Sequence, residues 1–393
     1  MLIGIVGRPN AGKSTFFKAA TLVDVLIASY PFATIKPNHG IAYVRVDCID
    51  KEFGVQCMPR EGYCVKGQRF VPVELMDVAG LVPGASQGKG MGNQFLDDLR
   101  QADAFIHVVD MSGLSNSEGK PAENHDPAVD IRFLEEELDL WYVGILKKVW
   151  KTFARTAELQ KSNFSEAVAK QFSGLKVQED DVKLVLLRTG FDSSKPTAWT
   201  DDQVLQFARE LRKLTKPMVI VANKIDTPKG GENFARVSKE FDYPMIPCSA
   251  DAELSLRQAA KAGLIEYLPG DKDFILIKEL AEKQKGALAF IREKVLQVFG
   301  STGVQEVLNT TVLDILKYVA IFPAGMNKLA DSQGRILPDC YLMPSGSTAL
   351  DFAFRLHTDI GKNFVKALNA RTKQAVGKEY QLKHRDAVEI VTR

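Results

Sequence analysis

Short apolar runs alternate with longer stretches of mixed polarity through the first half of the chain. Runs of strand length occur at residues 2–6, 41–46, 73–78, 105–110, 218–222 and 245–247. Each run ends in polar residues or glycine, where a loop is expected, and a helix is predicted over 14–20. Strands that alternate with helices in this way indicate an α/β fold with a doubly wound parallel sheet.

The alternation breaks after Asp110. Residues 111–127 are rich in Ser, Gly, Asn and Pro, which is typical of a loop, and residues 128–159, 164–172 and 201–214 have helical patterns. Residues 183–188 fit a strand or a helix, because a short apolar run does not decide between them. We therefore expect a mostly helical insertion domain over 115–214, between two parts of one sheet domain, 1–114 and 215–315.

The last part of the chain has a different pattern. Residues 252–315 are predicted to be helical. Strands are then predicted over 318–322, 339–343, 380–382 and 388–391, with a helix over 350–368. Strands on both sides of one helix predict a separate α+β domain over 316–393.

Composition narrows the class of protein. The 393 residues suggest two to three domains, and 45% hydrophobic with 25% charged residues excludes a disordered chain. A net charge of +2 is too small for a uniformly basic nucleic-acid binder. Residues 316–393 nevertheless contain 12 Lys and Arg against 7 Asp and Glu, a net charge of +5 that leaves −3 for residues 1–315.

Cysteine content and hydropathy bear on location. The five cysteines are few and scattered, and no Cys-x-x-Cys pair occurs, which argues against both a disulfide framework and a zinc knuckle. Reduced thiols and a cytoplasmic location are expected. The first apolar run has no preceding basic segment, so a signal peptide is not expected, and no run approaches the 18 residues of a membrane span.

A phosphate-binding loop follows the first predicted strand. Residues 7–14 match G-x-x-x-x-G-K-[ST] in full, and the candidate nucleotide-binding residues are Gly7, Asn10, Ala11, Gly12, Lys13, Ser14 and Thr15. Backbone N–H groups in such a loop point at the phosphates, and the following helix adds its N-terminal partial positive charge. Lys13 is expected to contact the β- and γ-phosphates as a catalytic residue, and the Ser14 hydroxyl to ligate Mg²⁺.

A second motif indicates which base is bound. Asn223, Lys224 and Asp226 form Asn-Lys-x-Asp after a predicted strand, where α/β sheets bind ligands. The Asp226 carboxylate can accept hydrogen bonds from guanine N1–H and the 2-amino group, which adenine lacks. Two such bonds of roughly 1.5–3 kcal/mol each imply about 10²–10⁴-fold discrimination. The Lys224 stem is expected along the base, with Asn223 bracing the phosphate loop; Ser249 and Ala250 resemble the loop that supports guanine O6.

Three further residues are expected near the γ-phosphate. Asp77 ends a predicted strand and is expected to hold Mg²⁺ through water, and the Gly80 N–H to bond the γ-phosphate. Five glycines within residues 80–92 are typical of a segment that a ligand orders. Thr34 lies between the phosphate loop and Asp77 and is expected to ligate Mg²⁺ in the triphosphate state; an ordinary turn threonine is the alternative.

Together these segments resemble the Obg family of translation-associated GTPases. The resemblance is carried by residues 7–15, 30–40 and 77–96, and the position of the helical insertion is similar to that of the YchF branch. Residues 357–364 and 383–391 resemble the TGS domain, a β-grasp module. The resemblance implies a cytoplasmic GTP-binding hydrolase that uses magnesium and associates with ribosomes. Well-known YchF members often have a degenerate guanine motif and accept ATP, whereas all three motif residues are present here, so GTP is expected.

Hydrolysis is expected to be slow. Leu81 occupies the position where Ras-like enzymes carry the glutamine that orients water, and a leucine side chain forms no hydrogen bond. In related GTPases the asparagine at the position of Asn10 coordinates K⁺, which implies K⁺ as a second candidate cofactor. A purely structural role of Asn10 in the loop is the equal alternative.

The basic C-terminal module suggests the partner. Candidate phosphate contacts are Arg371, Lys373, Lys378, Lys383 and Arg385, and Phe354 and Phe364 are expected in the core on the module's helix. With the resemblance added, ribosomal RNA or tRNA is the expected partner, against a merely solvated surface.

The sequence therefore predicts a GTP/GDP switch with weak hydrolysis and no membrane association. A P-loop kinase or ATP-preferring hydrolase is one alternative, although it has no use for Asp226. A nucleotide-gated binding scaffold with little turnover is another, and Leu81 favours it.

Overall fold

The fold described here comes from a computed structural model of the chain, which describes residues 1–22, 38–78, 80, 98–160, 163–326, 329–331 and 333–393. The chain divides into two compact units. The first comprises residues 1–40 and 74–307, and the second comprises residues 41–73 and 308–393. This division differs from the predicted domains, because residues 41–73 group with the C-terminal residues.

A parallel sheet forms the centre of the first unit. Its strands are β1 (Leu2–Val6), β4 (Gln68–Asp77), β5 (Ala104–Asp110), β6 (Met218–Asn223) and β7 (Met245–Cys248). They lie in the order β4-β1-β5-β6-β7, and β4 pairs with β1 through its last four residues. Strand β5 is buried along its whole length, as expected for a strand with helices on both faces. The predicted doubly wound sheet is confirmed.

Helices surround this sheet. They are α1 (Lys13–Thr21), α2 (Pro127–Lys147), α3 (Trp150–Gln160), α4 (Phe164–Gln171), α5 (Glu179–Thr189), α6 (Asp201–Thr215), α7 (Gly230–Val237) and α8 (Ala250–Lys261), followed by α9 (Glu282–Ile291) and α10 (Val304–Asn309). Residues 183–188, which the sequence left open between strand and helix, are therefore helical. Two short paired strands, β8 (Ile265–Glu266) and β9 (Ile275–Leu276), interrupt the region predicted to be helical throughout.

The helices of residues 115–214 share one hydrophobic core with the sheet. Leu138 and Leu211 from the helices lie in the same buried cluster as Val6 and Phe105 from the strands. This segment is helical as predicted, and its buried core is continuous with that of the sheet. Within the described residues, no helix combines the length and apolar composition that a bilayer-spanning segment needs.

The second unit contains β2 (Asn38–Asp47) from residue 41 onward and the hairpin of β3 (Tyr63–Val65) with the start of β4. Its C-terminal residues form a five-stranded sheet, β11-β10-β14-β12-β13. Those strands are β10 (Tyr318–Pro323), β11 (Tyr341–Pro344), β12 (Phe364–Asn369), β13 (Gln374–Val376) and β14 (Ala387–Thr392), with helices α11 (Ala349–Leu356) and α12 (Thr358–Lys362) before β12.

Two predictions for this module were wrong. The helix predicted over 350–368 is interrupted at His357, whose backbone is extended, and a second short helix ends at Lys362. Residues 364–369 then extend as β12 with buried Ala367 and Asn369. Residues 380–382 contribute only a single bridge between Thr348 and Gln381 instead of a strand.

Three of the cysteines that are scattered along the sequence come together in the fold. Cys48, Cys57 and Cys64 are free thiols that lie together beside Asp50 in the second unit.

Candidate functional site: a nucleotide pocket at the carboxyl edge of the sheet

The phosphate loop connects β1 to α1, as the motif predicts. Gly7 has φ +143°, and a Cβ there would lie 2.4 Å from the Val108 carbonyl oxygen. Gly12 has φ +101°, and a Cβ there would lie 2.2 Å from Asn223 Nδ2. Both positions therefore require glycine for backbone conformation and for space. The loop backbone is thus held closely against the ends of β5 and β6.

Lys13 is buried at the start of α1. Its ammonium donates a hydrogen bond of 2.9 Å to the Arg8 carbonyl oxygen. Burial lowers the pKa of Lys13 to about 8, although the charge of Asp77 opposes that shift. The cation is thus held inside the loop that the motif assigns to phosphate.

Ser14 and Asp77 meet beside Lys13. The Ser14 hydroxyl donates to Asp77 Oδ2 over 2.8 Å, and Asp77 is fully buried. Burial raises the pKa of Asp77, against the opposing effects of Lys13 and Ser14. The other carboxylate oxygen, Oδ1, is buried without a hydrogen-bond partner among the described residues. Hydroxyl and carboxylate oxygens are ligands that Mg²⁺ prefers, so this pair fits a magnesium ion.

Part of the predicted γ-phosphate region lies outside the described residues. This applies to Thr34, to Leu81 and to residues 82–92. Gly80 is described and lies directly against the phosphate loop, since a Cβ there would be 2.8 Å from Pro9 Cγ. The Gly80 backbone therefore lies in contact with the phosphate loop.

Asn223 joins the predicted base-binding segments to the phosphate loop. Its amide donates to the Ala11 carbonyl oxygen over 2.9 Å and accepts from the Ala250 N–H over 3.2 Å. Lys224 has φ +61°, and its ammonium donates to the Asn10 carbonyl oxygen over 3.2 Å. One dipeptide thus fixes two loops that are distant in sequence.

Asp226 and Ser249 complete the predicted base pocket. Asp226 is half-buried, and within the described part of the chain its carboxylate has no recorded hydrogen bond. The neighbouring Ile225 N–H donates to the Cys248 carbonyl oxygen over 3.2 Å, so Asp226 lies near the end of β7. Its charge adds, after burial and the charge of Glu253, to the effects that raise the pKa of the buried Cys248 thiol. Ser249 caps α8 by accepting from the Ala252 N–H over 3.3 Å. The structure therefore brings all the described nucleotide-binding candidates to one edge of the sheet.

A buried ionic network around Arg8 was missed by sequence reasoning. Arg8 forms an ion pair with Asp130 and donates to Ser115 Oγ over 3.0 Å and to the Asn116 carbonyl oxygen over 2.6 Å. Asn10 donates from Nδ2 to the Gly119 carbonyl oxygen over 2.7 Å. The segment 111–127, predicted only as a loop, therefore packs on the phosphate loop.

Asp110 links this network to the base-binding segment. Its Oδ2 lies 2.8 Å from the Lys224 ammonium and 3.5 Å from the Arg8 guanidinium. Burial would raise the pKa of Asp110, but Lys224 and hydrogen bonds from Ser112 and Ser115 outweigh it and hold the pKa low. An acidic residue at the end of a buried strand, opposite an arginine in the phosphate loop, was the available sequence signal.

His107 lies in β5 next to Gly7, and it is buried. Burial lowers its pKa to about 3, with further lowering by the charges of Lys13 and Arg8. The imidazole is therefore neutral at physiological pH, and its Nδ1 has no hydrogen-bond partner among the described residues.

The basic C-terminal candidates fall into two groups. Arg371 and Arg385 both form ion pairs with Glu52, the former at 2.9 Å, so their charges are already engaged within the second unit. The other candidates are exposed, and they are Lys373, Lys378 and Lys383.

The two predicted core phenylalanines also differ from expectation. Phe354 is 47% exposed and lies against Gly361, while Phe352 occupies the core. Phe364 is partly buried as expected, but it lies on β12 instead of a helix.

Comparison with known domain families agrees with this architecture. Residues 2–139 match the family described as a 50S ribosome-binding GTPase. Residues 221–325 match the G4 motif-containing domain of YGR210-like Obg-like GTPases, and residues 321–392 match the TGS domain.

Individual relatives cover most or all of the chain. An uncharacterized GTP-binding protein of Methanocaldococcus jannaschii is 47% identical, over 100% of this chain and 99% of that protein. The ribosome-binding ATPase YchF of Bacillus subtilis is 32% identical, over 77% of this chain and 79% of its own length. A crystal structure of a GTP binding protein from Pyrococcus horikoshii has a TM-score of 0.80 and 43% identity, with both chains covered completely. These similarities and the site geometry show that the chain belongs to the Obg-like P-loop GTPases of the YchF branch, which carry a C-terminal TGS domain.

Proposed function

We propose that this protein binds Mg²⁺·GTP, hydrolyses it slowly to GDP and phosphate, and acts as a nucleotide-dependent switch on the ribosome. The observation that carries the proposal is the position of Asn223, which bonds Ala11 in the phosphate loop and Ala250 in the predicted guanine-supporting loop. A side chain that spans both loops suits a ligand with a triphosphate at one end and a purine at the other.

Guanine is the base that the intact motif favours. Asp226 is close to this assembly and half-buried, which leaves a carboxylate for the guanine N1–H and 2-amino donors. The name of the Bacillus subtilis relative says ATPase, whereas the name of the Methanocaldococcus jannaschii relative says GTP-binding. Adenine cannot donate to a carboxylate from N1, so the two nucleotides should differ by about 10²–10⁴-fold in affinity.

Magnesium would be held by Ser14 and Asp77, with Thr34 as the triphosphate-dependent third ligand. When bound, the ion would neutralise charge on the β- and γ-phosphates. The chain's own contributions are the Lys13 ammonium beside the phosphates and the Gly80 N–H at the γ-phosphate. K⁺ beside Asn10 would add further charge stabilisation. The Asn10 side chain is oriented by the hydrogen bond from its Nδ2 to the Gly119 carbonyl oxygen, and its side-chain oxygen Oδ1 is the atom that would coordinate such a cation.

The exposed lysines of the C-terminal module are the proposed ribosome or RNA contact. Lys373 and Lys383 are exposed in the module that matches the TGS family, and the relative named YchF is described as ribosome-binding. Cationic side chains on one module supply the sequence-independent attraction to phosphate that RNA binding requires.

The test is direct binding of GTP, GDP and ATP to the purified chain in MgCl₂, followed by ribosome co-sedimentation in each nucleotide state. We expect GTP to bind at least a hundredfold more tightly than ATP and the sedimented fraction to depend on the nucleotide. Equal affinity for ATP would overturn the guanine assignment. Single-turnover hydrolysis that stays undetectable with and without ribosomes would favour a scaffold over an enzyme.

A further inference from the structure

A group of thiols in the second unit plays no part in the nucleotide site. Cys48, Cys57 and Cys64, together with Asp50, place one ligand atom each within 4.8 Å of one another. Cys48, Cys57 and Asp50 are buried, and Cys64 is half-buried. We propose that these four residues bind one structural zinc ion.

The spacing of the ligand atoms fits one tetrahedral ion. The sulfurs of Cys48 and Cys57 are 3.6 Å apart, and the Cys64 sulfur is 3.7 Å from Asp50 Oδ2. Two sulfurs at about 2.3 Å from one tetrahedral zinc lie about 3.8 Å apart, and a sulfur and a carboxylate oxygen lie about 3.5 Å apart. The two observed separations therefore match two edges of a zinc tetrahedron. An iron–sulfur cluster, with several metals between its thiolates, would hold the sulfurs further apart.

The carboxylate is oriented for this role by the backbone. Asp50 Oδ1 accepts a hydrogen bond of 2.8 Å from the Lys51 N–H, so Oδ2 is the oxygen directed at the thiols. A metal-binding carboxylate is commonly fixed by such a hydrogen bond to its other oxygen.

Charge also favours a cation at this place. Three thiols and a carboxylate this close cannot all ionise unless a cation offsets their repulsion. Zinc leaves the four ionised ligands with a net charge of about −2. Arg69, buried and opposite Cys64 across the β3–β4 hairpin, supplies a fixed positive charge that offsets part of this remaining negative charge. The arginine is held by the carbonyl oxygens of Leu337 and Pro338.

The local chain explains why a metal would be used here. Residues 48–62 connect β2 to β3 without a helix or strand of their own. Connections of more than about 12–15 residues without secondary structure are uncommon in compact domains. The four ligands lie in and just after this segment, and Phe53 and Val55 from it pack in one cluster with Phe322 and Leu337. A zinc ion would therefore fix the segment onto the core of the second unit, and half-exposed Cys64 marks the side from which the ion enters.

The ligand pattern differs from common structural zinc motifs in its spacing and in having an aspartate as the fourth ligand. The cysteines are separated by eight and six residues, and the aspartate lies between the first two. The tight turns that replace the usual Cys-x-x-Cys knuckle are made by Gly54 and Gly62, at φ +65° and +70°.

The experiment measures metal content and thiols on the full chain, purified without chelator. We expect one zinc per chain by mass spectrometry of the metal and, after denaturation with chelator but without reductant, five titratable thiols. Cobalt(II) exchanged into the site should give thiolate-to-cobalt charge transfer and tetrahedral ligand-field bands. Chelation should lower the melting temperature, and zinc should restore it.

Variants assign the ligands. Cys64→Ser and Asp50→Asn should lower zinc affinity more than tenfold, since even changing a residue that only hydrogen-bonds a metal ligand typically costs about 10–100-fold. Cys340→Ser, in the same hydrophobic cluster but outside the four, is the matched control and should keep one zinc. Because a variant could fail to fold, GTP binding is measured on each, and the chelation experiment on the unaltered chain stands independently.

Four results would overturn the proposal. They are three titratable thiols with no metal, which indicates a disulfide; an iron–sulfur chromophore; unchanged zinc content in Cys64→Ser and Asp50→Asn; and loss of zinc in Cys340→Ser with retention in Asp50→Asn. A failure of GTP binding with one zinc retained would instead contradict the proposed nucleotide function alone.

Discussion

Asn223 and Asp226 stand three residues apart, and the structure predicts opposite consequences for their substitution. The Asn223 amide is buried and bonded to two loops, whereas Asp226 is half-buried with no recorded hydrogen bond in the described residues. We predict that Asn223→Ala mainly lowers stability, and that Asp226→Asn mainly changes which base is bound.

The magnitude for Asn223→Ala follows from the groups left behind. Ala11 and Ala250 are 0% and 1% exposed, so their carbonyl oxygen and N–H would lose a partner out of reach of bulk water. Leaving a buried polar group unsatisfied costs about 1–3 kcal/mol, which gives about 2–6 kcal/mol for both. Since both loops belong to the nucleotide pocket, affinity for GTP and GDP should fall together.

For Asp226→Asn the folded chain loses no recorded contact, so stability should stay within about 0.5 kcal/mol. Affinity for GTP should fall about 10²–10⁴-fold, because an amide cannot accept from both guanine donors in the same geometry. Xanthosine triphosphate carries a carbonyl oxygen where guanine carries the 2-amino group, so the new amide N–H should raise its affinity.

The assay uses the tryptophans, since Trp141, Trp150 and Trp199 all lie in the first unit. Their fluorescence during urea unfolding reports the unit that contains Asn223, and calorimetry gives the nucleotide affinities. An unfolding free energy of Asn223→Ala within 0.5 kcal/mol of the unaltered chain would refute the bridging role. Equal changes in the affinities for GTP and xanthosine triphosphate in Asp226→Asn would refute direct recognition of the base by the Asp226 carboxylate.

Three further predictions follow from other parts of the structure. The pKa of His107 is lowered from 6.5 to about 3, so the unfolded chain binds the extra proton and stability falls as pH decreases below 6.5. About 2 kcal/mol of the free energy of unfolding should be lost by pH 5. Urea unfolding above pH 6.5 and at pH 5 should show a smaller loss for His107→Asn. Hydrolysis should be faster in KCl than in NaCl at matched ionic strength, and Asn10→Ala should abolish the difference; equal rates with the unaltered chain would remove K⁺ from the mechanism. The double variant Lys373→Glu, Lys383→Glu should weaken ribosome co-sedimentation and flatten its salt dependence. The control variant Lys195→Glu, at an exposed lysine of the first unit, should change neither. Equal binding by both variants and the unaltered chain at several salt concentrations would exclude the C-terminal lysines as the contact.

The sequence predicted the sheet well because its signal is local. Strands β1, β5 and β6 each coincide, to within one residue at either end, with a predicted apolar run, and burial on both faces requires such runs. The helix predicted over 350–368 was wrong because the helical conformation is interrupted at His357 and the chain leaves it for β12 after Lys362. The alternation of polar and apolar residues over 364–369 is too short to predict a strand. The strand is fixed by the pairing of β12 with β14, which is distant in sequence.

The site was predictable where a motif carries its own mechanism. Gly7, Gly12, Lys13 and Ser14 lie in the expected loop because their spacing is set by the phosphates it serves. The covering segment 111–127 was not predictable as part of the site, since its contacts with Arg8 depend on how α2 and β5 pack. The cysteine group was missed for the same reason: its members converge only when the β3–β4 hairpin places Cys64 beside the preceding loop.

The two ends of the nucleotide pocket differ in how fully the protein satisfies its own polar groups. At the base end, Asn223 bonds both neighbouring loops, and Lys224 is paired with Asp110, so the protein's own hydrogen bonds hold this end together. At the metal end, Asp77 Oδ1 is buried without a partner in the described residues, and burial raises the pKa of that carboxyl. An unsatisfied buried group is a cost that a bound cation removes. Most of the free energy gained on binding should therefore arise at the metal and phosphates, while the base end, which the protein's own bonds hold in place, supplies selectivity at little cost of ordering.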